Sequence, residues 1–204
     1  MVLWRHGRTD WNDENRFQGH TDIPLNAIGR RQATQAAEQL ATLQPQMIVS
    51  SDLVRAEATA AELANLVGVE VVSDPALRET AGRRWEGQRA VDLVDDPEYQ
   101  VWLRGGDVSA GGAETRSEVA DRAAVAVAKA VSQLGNDELV VVVTHGGTIR
   151  CLLGRQLGLP IAHWRIFGGL ANCCWSVLEE SRIGWRLAEH NAGSLPQTVL
   201  GDDR

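Results

Sequence analysis

Short apolar runs alternate along this chain with longer stretches of helical periodicity. Residues 2–4 read as a strand that delivers Arg5-His6-Gly7 at its C-terminal end. Asn26 can then cap a helix whose apolar face takes Ile28, Ala33, Ala36, Ala37, Leu40 and Leu43. Residues 47–49 predict a second strand, ending at Ser50-Ser51-Asp52. Asp52 is expected to cap a helix that turns Leu53, Ala56, Ala60, Leu63 and Val67 inward. A third strand is expected over 69–72. Residues 97–112 are loop-rich, although 91–103 has room for one helix, and 113–134 reads as a long helix. Residues 139–143 form the clearest buried strand, apolar throughout and rich in valine. It ends at Thr144-His145-Gly146-Gly147, where another helix opens, and 173–178 and 185–189 read as two late strands. Strands alternating with helices predict an α/β fold class, one domain over residues 1–204, with helices covering a largely parallel sheet.

In such sheets ligands gather beyond the C-terminal strand ends. Three polar clusters fall there: Arg5-His6-Gly7, the stretch from Ser50 to Arg55, and Thr144-His145-Gly146-Gly147. They are distant in sequence and are expected to converge on one rim. Composition narrows what that rim can hold. The chain has 204 residues, 44% hydrophobic and 23% charged, which is globular rather than disordered. Its net charge of −7 speaks against a nucleic-acid surface. Any anion has to be caught locally by arginine and histidine, since the basic residues are arginines apart from Lys129. No apolar run is long enough for a membrane span. With no basic leader and three cysteines, Cys151, Cys173 and Cys174, the chain reads as a cytoplasmic protein without a disulfide framework.

These residue types suit phosphoryl transfer through histidine. His6 must be neutral and aimed, and neighbouring cations favour the neutral imidazole. A backbone carbonyl is expected to accept from its other ring nitrogen and fix the tautomer. Gly7 lets the backbone fold closely around the ring. Arg5 and Arg55 would fork onto phosphate oxygens. His145 would add a donor at a helix start that favours anions. Glu79 is the candidate acid and base, because a carboxyl beside a phosphate dianion is readily kept protonated and can later accept a proton from water. Asn12 and Gln18 are candidate neutral donors. A metal site built on His6, His145 and carboxylates is the rival reading, but neither His-x₃-His nor Cys-x₂-Cys spacing occurs.

The run Arg5-His6-Gly7-Arg8-Thr9-Asp10-Trp11-Asn12, continued by Phe17-Gln18-Gly19-His20-Thr21, resembles the signature of the histidine phosphatase (phosphoglycerate mutase-like) superfamily. Ser50 to Ala56, Leu77-Arg78-Glu79 with Trp85-Glu86-Gly87, and Thr144-His145-Gly146-Gly147 match its other segments in order. The resemblance implies a three-layer α/β/α domain with a mostly parallel central sheet, a phosphorylated histidine, and no metal or cofactor. It places Gly19 and Gly146 with the substrate-binding residues. Arg8 stands where the family commonly has a neutral or acidic residue, and is read as a contact for a second anionic group of the substrate. Glu114 follows a Gly111-Gly112-Ala113 run one residue longer than the family's. Mutases of the family carry a long insertion after the acid-bearing segment. Its absence between Gly87 and Glu114 implies water as the acceptor, hence a phosphatase of a small phosphorylated metabolite. The stretch from Leu159 to Trp164, Gly168 to Asn172, and Trp185-Arg186-Leu187 is similar to actinobacterial glucosyl-3-phosphoglycerate phosphatases. A broad-specificity phosphatase, a mutase and a non-catalytic phospho-ligand binder are the alternatives. Residues 170–178 are apolar enough to pair at an edge, which leaves a homodimer open.

Overall fold

The computed structural model describes residues 1–182 and 184–193, so residues 194–204 of the expected domain lie outside the described residues. The elements are β1 (Val2–Arg5), α1 (Asp10–Asp13), α2 (Ala27–Ala41), β2 (Met47–Ser50), α3 (Val54–Val67), β3 (Val71–Ser73), α4 (Pro97–Leu103), α5 (Arg116–Val131), β4 (Val140–Thr144), α6 (Gly146–Gln156), β5 (Trp175–Ser181) and β6 (Gly184–Ala192). Among the described residues they build one six-stranded sheet in the order β3-β2-β4-β1-β5-β6. The first four strands run parallel, and β5 and β6 pair antiparallel at one side.

Alternation along each strand sends side chains to opposite faces. Val2, Trp4, Ile48, Val141 and Val143 pack with α2 and α3. Leu3, Val49, Val140 and Val142 pack with α5 and α6. Strands covered on both faces need apolar residues throughout, which explains the unbroken valine run of β4. The α/β class and the three layers are as expected.

Several boundaries and caps differ. Asn26 does cap α2, its Oδ1 accepting from the Gly29 N–H at 2.9 Å, but Ile28 faces solvent. Asp52 does not cap α3. Arg78 claims it in a two-pronged ion pair, and the Val54 N–H donates instead to Asp22 at 2.8 Å. The third strand starts at Val71 rather than residue 69. The long helix spans Arg116–Val131, opened by a capping box of Thr115 and Glu118. The first late strand begins at Trp175, after Cys173 adopts a left-handed backbone (φ 58°). The three cysteines are free, and no described helix is long and apolar enough to cross a membrane.

Candidate active site

The rim formed by β1, β2 and β4 brings the three polar clusters together. Arg5 pairs with Thr144 across β1 and β4, and the His6 N–H donates to the Thr144 carbonyl at 3.0 Å. His6 is 3% exposed, and its Nδ1 donates to the Gly7 carbonyl at 2.6 Å. That bond leaves Nε2 unprotonated, with no protein partner among the described residues. Burial is the main force holding this imidazole well below its usual pKa, and the charges of Arg55 and Arg5 push the same way. Gly7 is required for closeness to α2: a Cβ there would sit 2.5 Å from the Gly29 carbonyl oxygen.

Arg55, fully buried on α3, donates to the Gly19 carbonyl at 2.8 Å and the Thr21 carbonyl at 2.9 Å. Gly19 thus enters the site through its carbonyl, as an anchor for the guanidinium. Burial lowers the Arg55 pKa to about 10, which still leaves it charged at neutral pH. Arg5 donates to the Leu170 carbonyl, while its Nε is buried without a partner.

His145 stands behind His6, with ring centroids 5.1 Å apart and no exposed surface. Arg55 Nε donates to its Nδ1 at 3.3 Å, and its Nε2 donates to Ser51 Oγ at 2.9 Å. Both ring nitrogens are engaged by protein, so His145 holds Arg55 rather than presenting a donor to the pocket. Its pKa is also held well below normal, chiefly by burial and then by Arg55. The expected anion-favouring N–H groups at the start of α6 are likewise taken. Gly147 N donates to Glu79 Oε2 at 3.0 Å and Thr148 N to Oε1 at 3.1 Å. Thr80 N also donates to Oε1, and the Thr148 hydroxyl, which donates to the Arg78 carbonyl at 2.8 Å, lies 3.3 Å from it. Oε1 is therefore saturated, whereas Oε2 keeps a lone pair for a proton.

Arg5, His6, Asn12, Gln18, Gly19, Arg55 and Glu79 line one pocket of about 260 Å³. Asn12 Oδ1 is occupied by Thr9 and by Asn172, which leaves its amide NH₂ to donate into the pocket. Gln18 is nearly buried and its Oε1 has no partner. Besides His145, two further expected residues sit outside the pocket lining. Arg8 pairs with Asp13 at 3.2 Å, because the turn into α1 carries its side chain away from the pocket. Gly146 packs against the Arg5 guanidinium, and Gly147 takes the lining position.

Other contributors went unrecognised in the sequence. Asn172 donates to the His6 carbonyl at 3.1 Å as well as to Asn12. Arg122 donates to the carbonyls of Ala76, Arg78 and Glu79 and pairs with Glu114, which in turn accepts from Ala81 N. Glu114 is thus placed as a brace of the acid-bearing loop. Arg16, Trp102 and Arg150 also line the pocket. Arg150 follows the His145-Gly146-Gly147 run within the same helix, a proximity legible in the sequence.

Residues 1–193 match the histidine phosphatase superfamily (branch 1). The chain belongs to this superfamily. This histidine phosphatase is 38% identical to a glucosyl-3-phosphoglycerate phosphatase of Mycolicibacterium vanbaalenii, over 95% of each chain. It is 35% identical to a probable phosphoglycerate mutase of an Enterobacter species, over 91% of this chain and 86% of the other. It also superposes on a mycobacterial glucosyl-3-phosphoglycerate phosphatase complexed with VO₃, with a TM-score of 0.89 and 38% identity, covering 94% and 98% of the two chains.

Proposed function

We propose that this histidine phosphatase hydrolyses glucosyl-3-phosphoglycerate to glucosylglycerate and phosphate through a phosphohistidine at His6. The observation that carries the chemistry is His6 itself: a neutral imidazole with Nδ1 tied to a carbonyl and Nε2 free, in a pocket walled by Arg5, Arg55 and Glu79. Nε2 attacks phosphorus while the bond to the leaving oxygen breaks. Arg5 and Arg55 neutralise the charge on the non-bridging oxygens. Glu79 gives its proton, carried on Oε2, to the departing alkoxide. In the second half the Glu79 carboxylate takes a proton from water. The resulting hydroxide displaces His6 from phosphorus, and the starting protonation is restored. His145 and Asn172 are positioning residues, acting through Arg55 and the His6 backbone. The substrate class is supported by the identity to the mycobacterial phosphatases along nearly the whole chain.

A phosphate-release screen tests this, with glucosyl-3-phosphoglycerate compared against phosphoglycerates, sugar phosphates and phosphoserine. The glucosylated ester should give the highest kcat/KM, and acid-labile label from the substrate should be trapped on protein. His6→Ala should abolish both turnover and trapping. A flat profile would reject the substrate while leaving the chemistry. Retained activity in His6→Ala would reject the chemistry. The mutase reading, favoured by the Enterobacter relative, predicts interconversion of 2- and 3-phosphoglycerate in place of phosphate release.

A further inference from the structure

Beside the catalytic pocket lies a second one of about 280 Å³, which shares Trp102 and Arg150 with it. Each volume falls below the roughly 300–1,000 Å³ typical of a small-molecule site, and the shared wall makes them two lobes of one cleft. The second lobe is lined further by Arg116, Arg165, Phe167 and the Gly168-Gly169 pair, with three arginines and no acid in its walls.

That is an unusual use of charge in a chain with 27 acidic and 20 basic residues. Arg155, on the same helix as Arg150 but facing outward, is paired with Asp121 at 2.8 Å. Neither Arg150 nor Arg165 has an ion pair among the described residues, and Arg150 Nε is buried without a partner. Arg116 is 5% exposed, stacks its guanidinium 4.4 Å from the Trp102 ring centroid, donates to the Trp102 carbonyl, and leaves its own Nε buried and unpartnered. Burial lowers the Arg116 pKa, and the charges of Arg150 and Arg165 lower it further, so the three guanidiniums lie within electrostatic reach of one another. Cations that converge on a lobe with no acid in its walls are complementary to an anion brought by the ligand. Arg150 faces both lobes, so that anion belongs to the molecule whose phosphate occupies the first.

We propose that Arg150 and Arg165, backed by Arg116, bind the carboxylate of the glycerate arm of the substrate. This rests on the reading of the first lobe as the phosphate site. It also moves the second-anion role from Arg8 to the Arg150 side of the cleft. A phosphoester without the carboxylate leaves these arginines unmatched, and the enzyme discriminates against it.

The test compares 3-phosphoglycerate with glycerol 3-phosphate, which differ only in carboxylate against hydroxymethyl. The wild type should favour 3-phosphoglycerate in kcat/KM by about 10- to 100-fold, the size of one or two charge-assisted hydrogen bonds. Arg165→Gln, at an exposed position, should collapse that ratio. Calorimetry on His6→Ala, which cannot turn over, should show the same discrimination in Kd and its loss in the His6→Ala/Arg165→Gln pair. Equal handling of the two esters by wild type, or an unchanged ratio in Arg165→Gln, overturns the proposal. If glucosyl-3-phosphoglycerate is no better than 3-phosphoglycerate, the glucosylated substrate is wrong while the carboxylate preference stands.

Discussion

A histidine that attacks phosphorus must stay unprotonated without losing its aim, and His6 meets both demands through one bond, its burial and two charged neighbours. The Gly7 carbonyl accepts from Nδ1 and fixes the ring, while burial first, and then the charges of Arg55 and Arg5, disfavour a second proton. Glu79 works by asymmetry, with one oxygen saturated and the other open to a proton. Glu79→Gln keeps the shape but removes the transferable proton, so kcat on an alkyl phosphate should fall on the order of 10²–10⁴-fold. With p-nitrophenyl phosphate the leaving phenolate needs no proton. The first half-reaction should then survive as a burst and phosphoenzyme should accumulate. Rapid-quench measurement of both would check the assignment, and an equal loss in burst and steady state would contradict it. At this scale the convergence of His6, Arg5 and Arg55 on one pocket was legible, because adjacency to a strand end dictates where they go. The orientation of His145 was not, since it depends on Ser51 and Arg55, whose side chains arrive from another element.

Elements place these side chains, and the Glu79 loop between β3 and α4 lies outside the sheet. Arg122 of α5 substitutes for a ladder by collecting the carbonyls of Ala76, Arg78 and Glu79, with Glu114 fixing its other edge. Arg122→Met leaves those carbonyls and Glu114 without their donor. Urea unfolding should show a loss of about 2–4 kcal/mol, with kcat falling more than KM changes. A variant with wild-type stability would show that the loop holds itself. The strands and helices were legible from their periods, and the brace was not. An arginine at the middle of an alanine-rich helix looks like any solvated charge until the loop it meets is placed. The cap of α3 failed for the same reason, since Asp52 and Asp22 exchange roles only through partners far along the chain.

For the whole molecule, two imidazoles are buried in the neutral form, and both must be free to take up protons on unfolding. Their folded pKa values lie below the unfolded value near 6.5, so their stabilising effect is complete above that pH and is lost as pH falls. Each contributes up to about 1.4 kcal/mol per pH unit in that window. The Tm should therefore drop from pH 7.5 to 5.5, and the drop should be shallower in His145→Asn. An identical pH profile in the variant would remove His145 from the cause. The α/β class and the converging rim were legible at this scale, because alternation of strands and helices determines both.

The position of β1 has a consequence for how the molecule is made. Its hydrogen-bonding partners are β4 on one side and β5 on the other, so Val2 meets Val141 and Val177. During synthesis this apolar strand waits for most of the chain to be translated before either edge can be satisfied. Pairing of such large sequence separation is slow to form and leaves sticky segments uncovered meanwhile. His6 thus follows a strand that is translated well before its partners and docked late, and a nascent chain halted before Trp175 has an unfinished sheet.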